Sequence, residues 1–148
     1  MVDLIPSMTP QEHFQREVLP NYRDFLADPS SEYKMKNAVT AIQYWVEWTY
    51  RYFQHHDPSQ VYGIKEPELF CRAISNDGCK DLWTVWDLAL NRKHRFLDRR
   101  LDTRIAISST GSVSDMNGVL VHNSFNEPMV PIVMNSVEFL KSRFGVSE

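Results

Sequence analysis

The spacing of apolar side chains changes twice along this chain. Up to about residue 98 they recur every three or four positions, over 103–121 every two, and from Pro131 the wider spacing returns. The wider spacing marks one face of a helix and the narrower one a half-buried strand. Thr9-Pro10-Gln11-Glu12 predicts a helix start. Thr9 can cap, Pro10 suits the first helical position and Glu12 can reach back to the Thr9 amide. Phe14, Val18, Tyr22, Phe25 and Leu26 then line one face, and Asp28-Pro29-Ser30-Ser31 ends the helix and caps the next.

The second predicted helix, Glu32 to His55, contains no Gly or Pro. Met35, Val39, Ile42, Val46, Thr49 and Phe53 form its stripe, widened by Ala38, Ala41, Trp45, Trp48 and Tyr52. A stripe that broad needs neighbours on more than one side, as a central helix has. Pro58 disfavours helix at Asp57 and closes it. Residues 57–65 read as a loop with Gly63. Glu66-Pro67-Glu68 opens a shorter helix through Leu69, Phe70, Ala73 and Ile74, which Ser75-Asn76-Asp77-Gly78 should break.

A fourth helix is expected from about Lys80 to Leu97, with Leu82, Val85, Trp86, Ala89, Leu90 and Leu97 on its apolar side. Ile105 and Ile107 then have strand spacing. Asp115-Met116-Asn117-Gly118 before Val119-Leu120-Val121 suits a type I′ hairpin. Pro131 opens a closing helix through Ile132, Val133, Ser136, Val137, Leu140 and Phe144, with Gly145 at its end. The predicted fold is therefore mainly α: a four-to-five-helix bundle over about 10–98, then a small β-hairpin and closing helix over about 102–145, in one domain spanning 1–148.

Composition agrees with that picture. A chain of 148 residues fits one domain, and 43% hydrophobic with 12% aromatic content is globular rather than disordered. No run reaches the ~20 apolar residues of a membrane-spanning helix. Met1-Val2-Asp3-Leu4-Ile5-Pro6 has neither a basic nor an apolar leader region, so no signal peptide and a cytoplasmic location are expected. Cys71 and Cys79 make no disulfide framework and read as two buried thiols. The net charge of −3 gives no overall pull toward nucleic acid or anionic lipid. Locally, however, Arg92, Lys93, Arg95, Arg99, Arg100 and Arg104 face only Asp98 and Asp102.

Three stretches carry candidate chemistry. Arg51 and His56 have the Arg, four to six residues, His spacing of the HEPN (higher eukaryote and prokaryote nucleotide-binding) ribonucleases. In that chemistry an imidazole acts as acid or base on a ribose hydroxyl while Arg steadies the phosphate. Such a pair also arises by chance, and the plain alternative is a solvated helix end whose His residues face the negative pole of the dipole. Asn91-Arg92-Lys93-His94 is a second candidate phosphate or nuclease site, against the polar end of a helix. The basic segment, with Arg95, Arg99 and Arg100 around Phe96, is a candidate nucleic-acid contact, against a solvated linker.

His55, His56, Asp57 and His94 are the whole metal-ligand pool, and adjacent His residues on a helix point about 100° apart. No metal is expected, and with no glycine-rich phosphate loop, no cofactor. Trp45 with Trp48 and Trp83 with Trp86 each place two indoles on neighbouring parts of one helix face. They are expected to form a core layer if the two helices pack, with an interface as the second reading.

Asp28-Pro29, Lys36-Asn37-Ala38 on a long aromatic helix, Cys79-Lys80-Asp81-Leu82, Asp87-Leu88-Ala89 and Lys93-His94 together resemble a group of uncharacterised bacterial HEPN-like helical proteins over residues 10–144. The resemblance implies a four-helix HEPN-like bundle, with RNA cleavage in toxins and phage defence, or non-catalytic binding, as its activities. Arg92 is the closest Arg upstream of His94, nearer than the active pattern requires. The expected function is a non-enzymatic, homodimeric helical interaction module acting through an aromatic groove or the basic segment, with a protein or RNA partner and no membrane. The alternative is a metal-independent HEPN-type ribonuclease using His94 or His56, with Arg51, Arg92 or Lys93 on the phosphate.

Overall fold

The computed structural model describes residues 8–90, 106–107, 112–114, 120–122 and 127–148. The chain is mainly helical, and its order follows the caps. At Thr9 both halves of the capping box form: the Glu12 amide donates to Thr9 Oγ1 at 3.1 Å and the Thr9 amide to Glu12 Oε1 at 3.0 Å. These bonds hold the Glu12 carboxyl below its ordinary range. Helix α1 (Pro10–His13) runs into a π segment (Phe14–Val18) and then α2 (Leu19–Ala27).

Pro20 accounts for the widening. It has no N–H to offer the carbonyl four residues back, and its ring crowds that carbonyl. The turn before it opens to a five-residue step, with the Leu19 amide bonded to the Phe14 carbonyl. Phe14, Val18, Leu19, Tyr22 and Phe25 are buried, whereas Leu26, expected on the same face, is 37% exposed.

Helix α3 (Glu32–His56) is capped by Ser31, whose Oγ accepts from the Lys34 amide at 3.2 Å. It is the rod of the molecule. The 10–27 helical run, α4 (Pro67–Gly78), α5 (Lys80–Ala89) and α6 (Met129–Phe144) all pack against it. Met35, Ala38, Val39, Ile42, Trp45 and Val46 are almost wholly buried. Two indole N–H groups fasten the start of the chain to this rod, Trp45 to the Pro10 carbonyl at 2.8 Å and Trp48 to the Met8 carbonyl at 3.0 Å. On the other flank Tyr50 is buried with its hydroxyl on the Ile64 carbonyl at 2.7 Å, beyond a 3-10 turn (Pro58–Val61).

The break expected at 75–78 is displaced. Helix α4 continues through Gly78, and one extended residue, Cys79, separates it from α5. Tertiary packing overrides the local turn preference. Ile74 and Ser75 are buried, the Cys79 amide closes the last turn on the Ser75 carbonyl, and Gly78 lets Phe139 of α6 approach. Helix α5 ends at Ala89; the rest of its expected length, 91–97, lies outside the described residues.

Four short strands, β1 (Ala106–Ile107), β2 (Ser112–Ser114), β3 (Leu120–His122) and β4 (Glu127–Pro128), pair antiparallel in that order, with Val113 opposite Val121. The expected turn at 115–118 lies outside the described residues. Helix α6 starts at Met129, two residues before Pro131, and ends on Gly145 in the left-handed conformation, φ 68°. Beyond it Val146 is buried, and Ser147 and Glu148 reach back to the first helical run. Among the described residues no helix is long and apolar enough to cross a membrane.

Candidate functional site

The end of α3 carries the first group of candidates. Arg51 is exposed, with its guanidinium 3.4 Å from Glu47, whose other oxygen accepts from Gln43 at 3.1 Å. Five residues of helix rotate His56 about 140° from Arg51. The two side chains therefore leave the rod in different directions. His56 instead lies on the Tyr52 ring, centroids 4.3 Å apart. His94, Asn91, Arg92, Lys93, Arg95, Arg99 and Arg100 lie outside the described residues.

Helices α3 and α5 do pack, but the Trp rings engage other partners. Trp45 is 0% exposed, set edge-on to Phe14 at 5.9 Å and Phe144 at 5.2 Å. Trp48 stacks on His13, and Trp83 lies under the Arg72 guanidinium at 4.8 Å. Trp86 is buried, its indole N–H without a partner among the described residues. The chain's own side chains cover Trp45 and Trp86, so a partner meets other groups first. The thiols are no better placed for chemistry. Burial pushes Cys71 up to about 12, and Cys79 is raised for the same reason. Among the described residues no three His, Cys, Asp or Glu side chains gather where an ion could sit.

The side of α3 opposite its apolar stripe has a different character. Tyr33, Asn37, Thr40 and Tyr44 recur at four-, three- and four-residue intervals, so helical rotation gathers them on one face with Lys36 at its edge. Tyr33 is 73% and Tyr44 60% exposed. With Glu17 and Asn21 from the first helical run they border an open groove of about 460 Å³. Asn21 is tied down by a 2.7 Å bond to the Glu17 carbonyl. None of Tyr33, Lys36, Asn37, Thr40 and Tyr44 makes a side-chain hydrogen bond or ion pair with another described residue. Nearby Lys34 is paired with Asp28, and Arg51 with Glu47. Sequence reasoning passed over the two tyrosines. The signal was present as a polar-aromatic repeat at helical spacing on the side away from the core.

No family model, no curated protein and no solved structure matches the chain.

Proposed function

We propose that this chain is a non-enzymatic helical interaction module that docks a protein partner on the outward face of α3 between Tyr33 and Tyr44. The observation that carries the reading is the unengaged polarity of that face: five neighbouring polar side chains, none of them hydrogen-bonded or ion-paired to another described residue. Tyrosine suits such a role because it offers a large, rigid, amphipathic surface at low entropic cost. The groove has Lys36 on one side and Glu17 on another. That mixed sign suits a protein surface better than a polyanion, whose affinity comes from clustered cations.

The ribonuclease reading is the competing proposal. It keeps His94 or His56 as the acid–base group with Arg51, Arg92 or Lys93 on the phosphate; Arg51 is paired with Glu47 and leaves the helix about 140° from His56. We propose with the interaction module a HEPN-like arrangement of the bundle with a C-terminal β-hairpin, homodimerisation and a cytoplasmic setting in a bacterial or phage system.

A photo-crosslinking residue in place of Tyr44 tests it in the native host, with exposed Gln15 as the control position. The reading expects one protein captured at position 44, absent at position 15, and lost on Tyr33→Ala. Equal capture at both positions overturns the docking face. Cleavage of RNA by the wild-type chain, abolished by His94→Ala or His56→Ala, overturns the non-enzymatic assignment.

A further inference from the structure

We infer that the occupant of the Tyr33–Tyr44 face is a second copy of this chain, packed antiparallel about a two-fold axis. The inference rests on the docking face proposed above and adds the identity of the partner and the register.

The spacing of Tyr33, Asn37, Thr40 and Tyr44 reads the same in both directions, with its midpoint between residues 38 and 39. In a two-fold interface every contact occurs twice with the roles exchanged. An α3 running the opposite way through that midpoint sets Tyr33 of one copy against Tyr44 of the other, and Asn37 against Thr40. At about 1.5 Å of rise per residue the tyrosines stand roughly 16 Å apart along the rod, leaving the amide–hydroxyl pairs between them. Tyrosine rings meet well edge to face, and a carboxamide can both donate to and accept from a hydroxyl. A slip of one helical turn sets Tyr33 against Thr40 and loses both matches.

The charges follow the same register. The four residues 28–31 join the first helical run to α3, so the two lie antiparallel, with Phe14 against Trp45 at 5.9 Å. Three residues on, Glu17 lies level with about residue 42. The two-fold operation carries that level to about residue 35 of the other copy, between Lys34 and Lys36. Each copy thus brings Glu17 to the level of Lys36, which has no ion pair among the described residues, while Lys34 beside it is engaged by Asp28.

The face offers well under the 20–30 residues per side of a standard interface. The association is accordingly a reversible, concentration-dependent equilibrium.

Sedimentation velocity of the full chain over a dilution series tests this, with circular dichroism to show that each variant keeps its helices. The wild type should approach twice the monomer mass as concentration rises. Tyr33→Ala with Tyr44→Ala should raise the dissociation constant about tenfold or more, as expected when the large aromatic anchors of an interface are removed. Glu17→Lys and Lys36→Glu should each weaken the dimer, and the two together should recover most of the loss. A wild type that stays monomeric throughout overturns the second copy as occupant, while the crosslinking at position 44 still decides the docking face on its own. A dimer that forms equally well without the two tyrosines, or singles that fail to rescue each other, overturns the register.

Discussion

The His13 imidazole lies on the Trp48 indole, with ring centroids 5.1 Å apart and planes 28° from parallel. His13 is buried, and its Nδ1 has no partner among the described residues. Burial is the main cause that lowers its pKa, and the Glu17 carboxylate opposes the shift weakly. The folded chain therefore binds this proton less readily than the unfolded chain, whose His titrates near ~6.5. The His13 contribution is fully present above that pH and is lost as pH falls through and below it. Thermal unfolding between pH 8 and pH 5 should show the wild-type Tm falling on the acid side. His13→Phe, which keeps a ring against Trp48, should flatten that part of the profile. An identical acid slope in both proteins removes His13 as its source.

Gln11 clasps the C-terminal segment through both atoms of its amide. Its Nε2 donates to the Ser147 carbonyl at 2.8 Å, and the Ser147 amide donates to its Oε1 at 2.9 Å. Beside it Arg23 meets Glu148 at 2.7 Å, with Lys141 at 3.3 Å on the other oxygen. The Arg23 and Lys141 contacts hold the Glu148 carboxyl below its usual range, so this tie is complete above about pH 4.3 and fades as pH falls below it. Two net hydrogen bonds are worth about 1–3 kcal/mol, whereas an ion pair this exposed is screened by solvent and contributes little. Urea unfolding should therefore rank Gln11→Ala as the more damaging change and Arg23→Ala as near neutral. The reverse order would show that charge, not the amide clasp, holds the segment down.

Much of the helical frame was legible because its signals were redundant. For α3, a stripe at three- and four-residue spacing, freedom from Gly and Pro, a Ser31 cap and the Pro58 stop all agreed. Thr9 and Gly145 were equally plain as caps. What escaped was decided by partners distant in sequence. Tyr50 looks like a surface residue until the Ile64 carbonyl takes its hydroxyl. Ser75 to Gly78 has turn composition, yet packing against α5, the burial of Ser75 and the Phe139 approach at Gly78 keep it helical. Pro20 was masked by an apolar face that continues across it. At the candidate site, His and Arg residues drew attention because their chemistry is recognisable in isolation. Tyr33 and Tyr44 stand out only once the structure shows which polar groups are already engaged.

Cys71 and Cys79 should differ sharply in reactivity although both are free thiols. Cys71 is 0% exposed, sits 3.8 Å from the Ser75 hydroxyl, and is pushed by burial up to about 12. Almost no thiolate exists there at neutral pH, and an alkylating reagent cannot reach it without opening the core. Cys79 is half-buried at the α4–α5 break, on the edge of a groove shared with Asn135 and Phe139. Iodoacetamide at pH 8 followed by mass spectrometry should label Cys79 first, and Cys71 only at the rate of global unfolding. Equal labelling rates in the native chain would contradict the packing of Cys71. Cys71→Ala should leave partner docking on α3 unchanged, since the thiol touches none of that face.

Gly78 ends α4 against the Phe139 ring of α6. A Cβ placed there would stand 2.8 Å from Phe139 Cε1, closer than carbon atoms pack without displacement, and at an ordinary 3.5 Å from Cδ1. Helix propensity alone favours Ala over Gly by about 1 kcal/mol. The contact opposes it, because the half-buried Phe139 ring must swing away from α4 and give up part of its packing. The balance makes Gly78→Ala neutral to about 1 kcal/mol destabilising in the wild-type background. With Phe139→Leu the obstruction shrinks, and the same substitution should stabilise the chain. The two sites are in contact, so a double-mutant cycle by urea unfolding should give a coupling of roughly 1 kcal/mol. Strict additivity would mean that the glycine is not what permits the approach of α6, and that the helical course of α4 through residues 75–78 is held by Ile74 and Ser75 alone.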